Sequence, residues 1–262
     1  MAVILKSRQE IAQLRKAGRI VAETYEVLQP YVVPNTTTAE LDQIAEDYIR
    51  SKGAKPLYKG YGARPARDGH PAIPPFPATI CVAINNVICH GIPSPKQALR
   101  EGDIIGIDIG VLYNGWVGDA CVTFAVGAID SESERLIEVA QRCLEIGIEQ
   151  ARSNNHLGDI GAAIQTYAEA QGFSTVRDLG GHGVGRSLHE DPHVAHDGRP
   201  GTGLKLRPGM VFTIEPMINA GRPDTRLLTD MWTIVTADGS RSAQFEHTLA
   251  ITDGMPELLT LP

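Results

Sequence analysis

The sequence is poor in cysteine and aromatic residues, and it has no long hydrophobic run. Its 4 cysteines among 262 residues form no Cys-x-x-Cys pair and no dense pattern, which suits a reducing cytosol. No apolar run approaches a membrane span, and the opening apolar run is too short for a signal peptide. Acidic residues outnumber basic residues, and the net charge is −7. This charge argues against nonspecific nucleic-acid binding, which needs an excess of positive charge. We therefore expect a soluble cytoplasmic protein without a membrane or direct nucleic-acid partner.

The sequence does contain acidic residues inside apolar strands. Residues 104–124 read IIGIDIGVLYNGWVGDACVTF, in which Asn114-Gly115 predicts a two-residue type I′ turn. That turn pairs Gly110 with Asp119, so Asp108 and Asp119 share a sheet face as diagonal neighbours, roughly 7–8 Å apart. Buried carboxylates are costly unless they are paired or coordinated. The pair could hold one ion, or it could simply face solvent.

Three more candidate ligands follow, each in or beside an apolar or glycine-rich segment. They are His182 in GGHGVG, Glu215 in VFTIEP and Glu246 in SAQFEHT. Four carboxylates and one imidazole form a hard ligand set, which favours Mn, Fe, Co or Zn in an open catalytic site. Four negative charges crowd together only with cations present, so two divalent ions are favoured over one.

The second half of the sequence repeats the first. Residues 100–108 (REGDIIGID) align with residues 207–215 (RPGMVFTIE), matching in the arginine, the glycine, the apolar run and the final acid. The repeat places Asp108 and Glu215 at equivalent positions, as expected for a pseudo-twofold fold whose halves meet at one site.

Helix signals recur in the same order in both halves. Ser7-x-x-Glu10 and Ser131-x-x-Glu134 both predict capping boxes that open long amphipathic helices. A second helix is predicted in each half, at about residues 37–52 and 157–171. The pattern predicts an α+β fold with helix-helix-strand units around a central antiparallel sheet. We expect a single domain over residues 1–262, with halves at about residues 5–126 and 127–255.

Six segments together resemble the signatures of type I methionine aminopeptidases. They are VICHGIP, GDIIGIDIG, GDACVTF, GGHGVGRSLHE, FTIEPMINAG and SAQFEHT. The resemblance runs from about residue 5 to residue 255. Its spacing fits the short type I form, since the insertion of the type II form and the N-terminal zinc-binding extension of some relatives are missing. The resemblance implies the pita-bread fold and a hydrolase that removes initiator methionine when the second residue is small.

The resemblance also implies roles for the four acids and the imidazole. Asp119 and Glu246 would bridge two divalent ions, Asp108 would complete one ion, and His182 and Glu215 would complete the other. A hydroxide between the ions would attack the first peptide carbonyl. Glu215 would take and deliver the proton of the water.

Substrate contacts are implied in the same way. His90 would lie near the scissile amide nitrogen, and His189 would lie near the carbonyl oxygen. The lining of the methionine pocket would include Tyr61, Phe76, Cys81, Leu188 and Trp232. The alternative is that these are ordinary loop histidines and core residues.

Three further expectations concern residues near this site. The resemblance implies that Asn85, Val87 and Ser242 hold a monovalent cation through oxygen atoms. The histidines His193 and His196 are interpreted as exposed loop residues without a metal role. Cys121 is expected to be a small packing residue rather than a ligand.

One segment departs from the family pattern. Residues 63–75, rich in proline, arginine and glycine, form an insertion between Tyr61 and Phe76. Its composition predicts a structured or semi-rigid loop. Two interpretations are open, a loop that overhangs the cleft or a solvent loop without a role.

Two other functions compete with removal of methionine. Another metallo-exopeptidase of this fold, such as an X-Pro aminopeptidase or prolidase, usually adds an N-terminal domain that is missing here. A non-catalytic binding protein would have no chemical reason to keep all five ligands and both histidines. The favoured function implies nascent polypeptide N-termini as partners, with possible docking at the ribosome, and we expect a monomer.

Overall fold

The computed structural model describes residues 3–67 and 71–262, in which four α-helices flank a large antiparallel sheet. The helices are α1 (Arg8–Leu28), α2 (Thr38–Ser51), α3 (Ser131–Gln150) and α4 (Leu157–Ala170), with a 3₁₀ turn at Gln29–Tyr31. The strands are β1 (Lys55–Pro56), β2 (Ile80–Ile84), β3 (Val87–Cys89), β4 (Ile104–Tyr113), β5 (Trp116–Ala125), β6 (Ser174–Thr175), β7 (Gly180–Gly183), β8 (Glu190–Ala195), β9 (Val211–Ile214), β10 (Met217–Asn219), β11 (Thr225–Leu227), β12 (Ile234–Thr236), β13 (Ser242–Gln244), β14 (Glu246–Ala250) and β15 (Glu257–Leu258). Within the described ranges, no helix combines the length and the apolar character that crossing a bilayer requires.

The helix starts follow the predicted capping chemistry with one correction. At α1 the Ser7 backbone N–H donates to the Glu10 carboxylate at 2.8 Å, and the Glu10 N–H donates to Ser7 Oγ at 3.3 Å, which confirms the capping box. The predicted box at Ser131 is wrong, because Asp130 is the N-cap and accepts the Ser133 N–H at 2.8 Å. A carboxylate one residue earlier is the stronger acceptor, and it also binds Arg241. The predicted second helices of the two halves are both confirmed as α2 and α4.

The main sheet has nine strands in the described ranges. Its order is β1-β4-β5-β14-β9-β7-β8, with β2 paired to β4 and β15 paired to β14. The predicted hairpin register is confirmed, since Gly110 lies opposite Asp119. Asn114 and Gly115 have φ of 50° and 76°, as a type I′ turn requires. In the centre of the sheet β5 pairs with β14, and Glu246 lies opposite Cys121.

The turns that precede β4 and β9 show that the sequence repeat is also a structural repeat. Gly102 and Gly209 occupy these turns with φ of 88° and 91°, which glycine adopts without strain. Their N–H groups donate to the carbonyls of Val126 and Ile251 at 3.0 and 2.9 Å. Val126 directly follows β5, and Ile251 directly follows β14. The same hydrogen bond therefore occurs at equivalent positions in both halves.

The entries to the second helices match as well. Asn35 and Asn154 both have φ of 77°. Their N–H groups donate to the carbonyls of Leu99 and Leu206, at 2.8 and 3.1 Å. The predicted α+β fold with pseudo-twofold halves is confirmed, while the boundaries assigned to the halves stay predictions.

Strand alternation separates the core from the site. On β4, Ile105, Ile107 and Ile109 pack in one apolar cluster with residues of α1 and α2. On β9, Phe212 and Ile214 pack in another cluster with residues of α3 and α4. Since side chains alternate along a strand, Asp108 on β4 lies on the opposite face from these core residues, and so does Thr213 on β9. The helices therefore cover one face of the sheet and leave the other face to the candidate ligands.

Candidate active site

Five consecutive strands of the main sheet each bring one predicted metal ligand to the same place. In sheet order these are Asp108 on β4, Asp119 on β5, Glu246 on β14, Glu215 directly after β9 and His182 on β7. All five line one cavity of about 170 Å³, together with His90 and His189.

The carboxylates and the imidazole are close enough to share cations. Ligand atoms of Asp119, His182 and Glu246 all lie within 4.8 Å of one another. His182 Nε2 lies 3.6 Å from Asp119 Oδ2 and 3.6 Å from Glu215 Oε1. Asp108 joins the group through the Tyr58 hydroxyl, which also lies 2.5 Å from Asp119 Oδ1. Mainly oxygen donors with one imidazole fit first-row divalent cations.

The electrostatics of this cluster favour cation binding. Burial, together with the charge of neighbouring acids, raises the pKa of Asp108, Glu215 and Glu246 well above the usual range. Burial also raises the pKa of Asp119, to about 6. Burial lowers the pKa of His182, so its ring is not a cation that could neutralise them. The cluster therefore needs positive charge from outside the chain to be fully ionised at pH 7.

Short hydrogen bonds fix two of the ligands. Thr213 Oγ1 donates to Glu215 Oε1 at 2.8 Å, and Gln244 Nε2 donates to Glu215 Oε2 at 3.3 Å. His182 Nδ1 lies 3.1 Å from the Gly183 carbonyl, which leaves Nε2 directed at the acids. Such contacts set the tautomer and the orientation of metal ligands.

His193 and His196 differ from the prediction of two exposed loop histidines. His193 is exposed, but it lies in β8, opposite His182. His196 is 1 % exposed, and its Nε2 accepts the Glu215 backbone N–H at 3.1 Å. Proline and glycine make this segment resemble a loop, but Val194 in β8 and His196, which directly follows that strand, are both buried. Burial lowers the pKa of His196 to about 3, so the ring is neutral.

The two histidines predicted to contact substrate both line the cavity. His90 has φ of 55°, uncommon for a residue other than glycine, and its ring lies edge-on to Trp232 with centroids 6.4 Å apart. His189 Nδ1 lies 2.5 Å from the Tyr61 hydroxyl, and its ring centroid lies 4.1 Å from that of His182. Burial and the neighbouring histidines lower the pKa of His90 and of His189 to about 4.

The predicted methionine pocket forms the apolar wall of the same cavity. All five predicted residues line it: Tyr61, Phe76, Cys81, Leu188 and Trp232. Phe76 packs edge-on against Trp232, with ring centroids 5.3 Å apart. Sequence reasoning missed six other lining residues, which are Tyr58, Cys89, Leu179, Gly180, Met217 and Gln244. Cys89, Gly180, Met217 and Gln244 lie within the signature segments, which is the signal that could have found them, whereas Tyr58 and Leu179 lie outside every such segment.

The flanks of the predicted insertion lie at the cavity mouth. Arg64 and Ile73 exchange backbone hydrogen bonds of 2.9 Å, which closes the base of the loop. Trp232 Nε1 donates to the Pro74 carbonyl at 2.9 Å. Residues 68–70 lie outside the described residues. Both interpretations of the segment, a loop that overhangs the cleft or a solvent loop without a role, stay predictions.

Two of the residues predicted to hold a monovalent cation are joined by a hydrogen bond. The Ser242 N–H donates to the Asn85 carbonyl at 2.8 Å, and Val87 follows in β3. The Asn85 side chain is engaged with the Asp103 carboxylate at 2.8 Å and with the Ile104 N–H at 3.2 Å. The cation site stays a prediction.

Cys121 is 1 % exposed and packs in the sheet as expected.

Comparison with known proteins agrees with this geometry. The profile of metallopeptidase family M24 matches residues 12–253. The chain is 48 % identical over 260 residues to a methionine aminopeptidase of Clostridium perfringens, covering 99 % of both chains. A crystal structure of methionine aminopeptidase from Rickettsia prowazekii superposes with a TM-score of 0.93 at 42 % identity, covering 99 % of this chain and all of that one.

A more distant structure shares the fold alone. The prolidase from Pyrococcus horikoshii OT3 has a TM-score of 0.73 at 22 % identity, and this chain covers 63 % of its length. The predicted pita-bread fold is confirmed by these structural likenesses.

Proposed function

We propose that this chain, which belongs to the methionine aminopeptidases of metallopeptidase family M24, removes the initiator methionine from nascent or newly made proteins. One observation carries the proposal: five consecutive strands direct Asp108, Asp119, Glu246, Glu215 and His182 into one cavity. That cavity also has an apolar wall and two neutral histidines. The arrangement combines a cation-binding face with a pocket suited to an apolar side chain.

The chain's own residues suggest how two divalent ions would be held. Asp119 and Glu246 lie on the two neighbouring strands β5 and β14, and they would hold both ions. Asp108 would complete one ion, and His182 with Glu215 would complete the other. When bound, divalent ions lower the pKa of water and stabilise negative charge on a substrate oxygen. This ligand set accepts Mn, Fe, Co or Zn.

Glu215 is the residue best placed to move a proton. Thr213 and Gln244 donate to its two carboxylate oxygens, so its orientation is fixed. Burial raises its pKa, which brings a carboxylate closer to the range in which it can both take and return a proton. We assign it the transfer of the water proton towards the leaving amine.

His90 and His189 are placed to bind the scissile peptide without adding charge. We assign the Tyr61 hydroxyl, 2.5 Å from His189 Nδ1, as the donor of that hydrogen bond, so that the single N–H proton of the neutral ring lies on Nε2. Nε2–H is then a donor for the carbonyl oxygen on which charge develops. His90, whose ring lies edge-on to Trp232, is assigned to the amide nitrogen.

The cavity also accounts for the choice of substrate. Aromatic and sulfur-containing walls formed by Phe76, Trp232 and Cys81 suit a flexible, polarizable thioether. The free α-amine of a polypeptide would bind one of the divalent ions, which would confine cleavage to the first residue. The second residue must pass the mouth between Tyr61 and the flanks of the insertion, so a small side chain is favoured.

The proposal extends to where the protein works. Its partners would be the N-termini of nascent chains, encountered near the ribosome, and it would act as a cytoplasmic monomer in the maturation of new proteins. The cysteines Cys81, Cys89, Cys121 and Cys143 are all free and buried, which supports a reducing compartment.

A peptide panel tests this function against its alternatives. Metal-reconstituted protein is incubated with Met-Ala, Met-Lys, Ala-Pro and Lys-Pro peptides, and the products are separated by chromatography. We expect rapid cleavage of Met-Ala, slow cleavage of Met-Lys and none of the proline peptides. Cleavage of the proline peptides alone would assign the chain to the prolidase or X-Pro aminopeptidase class. Failure to cleave any peptide would favour a binding protein.

A further inference from the structure

Tyr58 lies against the candidate metal centre, in a position that the proposed function does not use. It lies two residues after the end of β1 and is 7 % exposed. Two backbone hydrogen bonds of 2.9 Å fix this segment, one from the Leu57 N–H to the Gly110 carbonyl and one from the Tyr61 N–H to the Tyr58 carbonyl. The ring is therefore held on the sheet rather than free in the cavity.

Gly110 provides the space that the Tyr58 ring occupies. A Cβ atom at Gly110 would lie 2.6 Å from Tyr58 Cε1 and 2.9 Å from Cζ, so a larger residue there would displace the ring. Gly110 lies directly opposite Asp119 in the hairpin. The glycine thus lets the tyrosine approach the point where the two aspartates meet.

The Tyr58 hydroxyl is shared by two carboxylates from adjacent strands. It hydrogen-bonds Asp108 Oδ1, and it lies 2.5 Å from Asp119 Oδ1. Within residues 3–67 and 71–262, no other side chain hydrogen-bonds the carboxylate of either aspartate. Glu215, at the position equivalent to Asp108, has Thr213 and Gln244 as its donors instead. Each half of the site therefore has its own donors, and on the Asp108 side the donor is Tyr58.

We infer that Tyr58 is a positioning residue whose hydroxyl holds Asp108 and Asp119 in the orientation that binds a divalent cation. This inference rests on the proposed function, which makes the two aspartates metal ligands. Two carboxylates that face each other repel, and a shared donor offsets that repulsion while leaving their other oxygens free. Partners that orient metal ligands typically change affinity about 10–100-fold.

The variant Tyr58→Phe removes the hydroxyl and keeps the ring on Gly110. Tyr25→Phe is the matched control, because Tyr25 hydrogen-bonds the carbonyls of Ile107, at 3.1 Å, and Ala120. Tyr25 therefore contacts the same hairpin through backbone atoms only. Metal-free proteins are titrated with Mn²⁺ and with Co²⁺ by calorimetry without oxygen, and the visible absorption spectrum of the Co²⁺ form is recorded. The Tm of each metal-free protein reports on folding.

We expect Tyr58→Phe to bind one equivalent of either ion about 10–100-fold more weakly than the unmodified protein, with an altered Co²⁺ spectrum. Tyr25→Phe should lower the Tm of the metal-free protein and leave ion affinity within twofold. Should Tyr58→Phe not fold, Tyr58→Met fills similar space without a hydroxyl and should show the same loss.

Three results distinguish the possible failures. The inference would be overturned if Tyr58→Phe bound both ions as tightly as the unmodified protein and showed the same Co²⁺ spectrum. An equal loss of affinity in Tyr25→Phe would also overturn it, because the effect would then come from the hairpin rather than the hydroxyl. If the unmodified protein bound neither Mn²⁺ nor Co²⁺, the proposed function itself would fail.

Discussion

At the scale of single residues, neutral histidines face buried acids across one cavity. The pKa of His90 and of His189 is lowered to about 4, so neither ring carries a charge at pH 7. A neutral imidazole offers one N–H donor and does not repel divalent cations. In our assignment the Tyr61 hydroxyl donates to His189 Nδ1, so the ring proton of His189 lies on Nε2. These two residues therefore act on the substrate rather than on the metal ions in our account.

Substitution of the two histidines should separate turnover from metal binding. We expect His90→Ala and His189→Ala to keep the metal content of the unmodified protein and to lose kcat, with His189→Ala losing about 10²–10³-fold. Contacts that strengthen in the transition state act on kcat more than on KM. Metal analysis and steady-state kinetics on a Met-Ala peptide measure both quantities. Loss of bound metal in either variant would show that the histidine is a ligand.

At the scale of elements, sequence patterns predict structure best where the signal is local. Asn114-Gly115 defines a turn by its own backbone preferences, so the hairpin register follows from the sequence. The start of α3 is less certain from sequence, because Asp130 and Ser131 are both good N-cap residues. Only the contact of Asp130 with Arg241, a residue distant in sequence, distinguishes them. His196 is buried by tertiary contacts. The sequence does not predict that burial, because proline and glycine near His196 are typical of an exposed loop.

The buried His196 predicts how stability depends on pH. Its pKa is about 3 in the folded protein, against about 6.5 in an unfolded chain. At a pH between these two pKa values the ring is protonated in the unfolded chain and neutral in the folded protein. The free energy of unfolding therefore decreases as the pH falls below about 6.5. His196→Gln removes this titration and can keep an acceptor for the Glu215 N–H. Its free energy of unfolding should therefore fall less steeply between pH 6.5 and 5.

His193→Gln is the matched control for this measurement. His193 lies three residues earlier, in β8, and is exposed, so His193→Gln should lower the free energy of unfolding less than His196→Gln does at every pH. Urea unfolding of the metal-free proteins at several pH values provides the comparison. Equal pH dependence in the unmodified protein and in His196→Gln would contradict the assignment of a buried neutral His196.

At the scale of the whole molecule, the site exists only where the two halves of the repeat meet. The sequence identifies the five candidate ligands, because acids inside apolar strands are conspicuous and two of them recur at equivalent positions. It does not identify Tyr58, Thr213 or Gln244, which orient those ligands. Their roles depend on distances between segments far apart in the chain, which composition and periodicity do not encode.

The most direct test of the central claim is a metal titration of peptide hydrolysis. Metal-free protein is titrated with Mn²⁺ without oxygen, and cleavage of a Met-Ala peptide is followed for the unmodified chain and for Glu246→Gln. Glu246 lies on a central strand, where its charge would bridge both ions, so its loss should weaken metal binding and turnover together. We predict that the rate of hydrolysis depends on added Mn²⁺ and reaches a plateau at about two equivalents of Mn²⁺ per chain. We also predict that Glu246→Gln folds but loses turnover by orders of magnitude. Full hydrolysis by the chelated protein, or near-normal turnover by metal-saturated Glu246→Gln, would contradict the account.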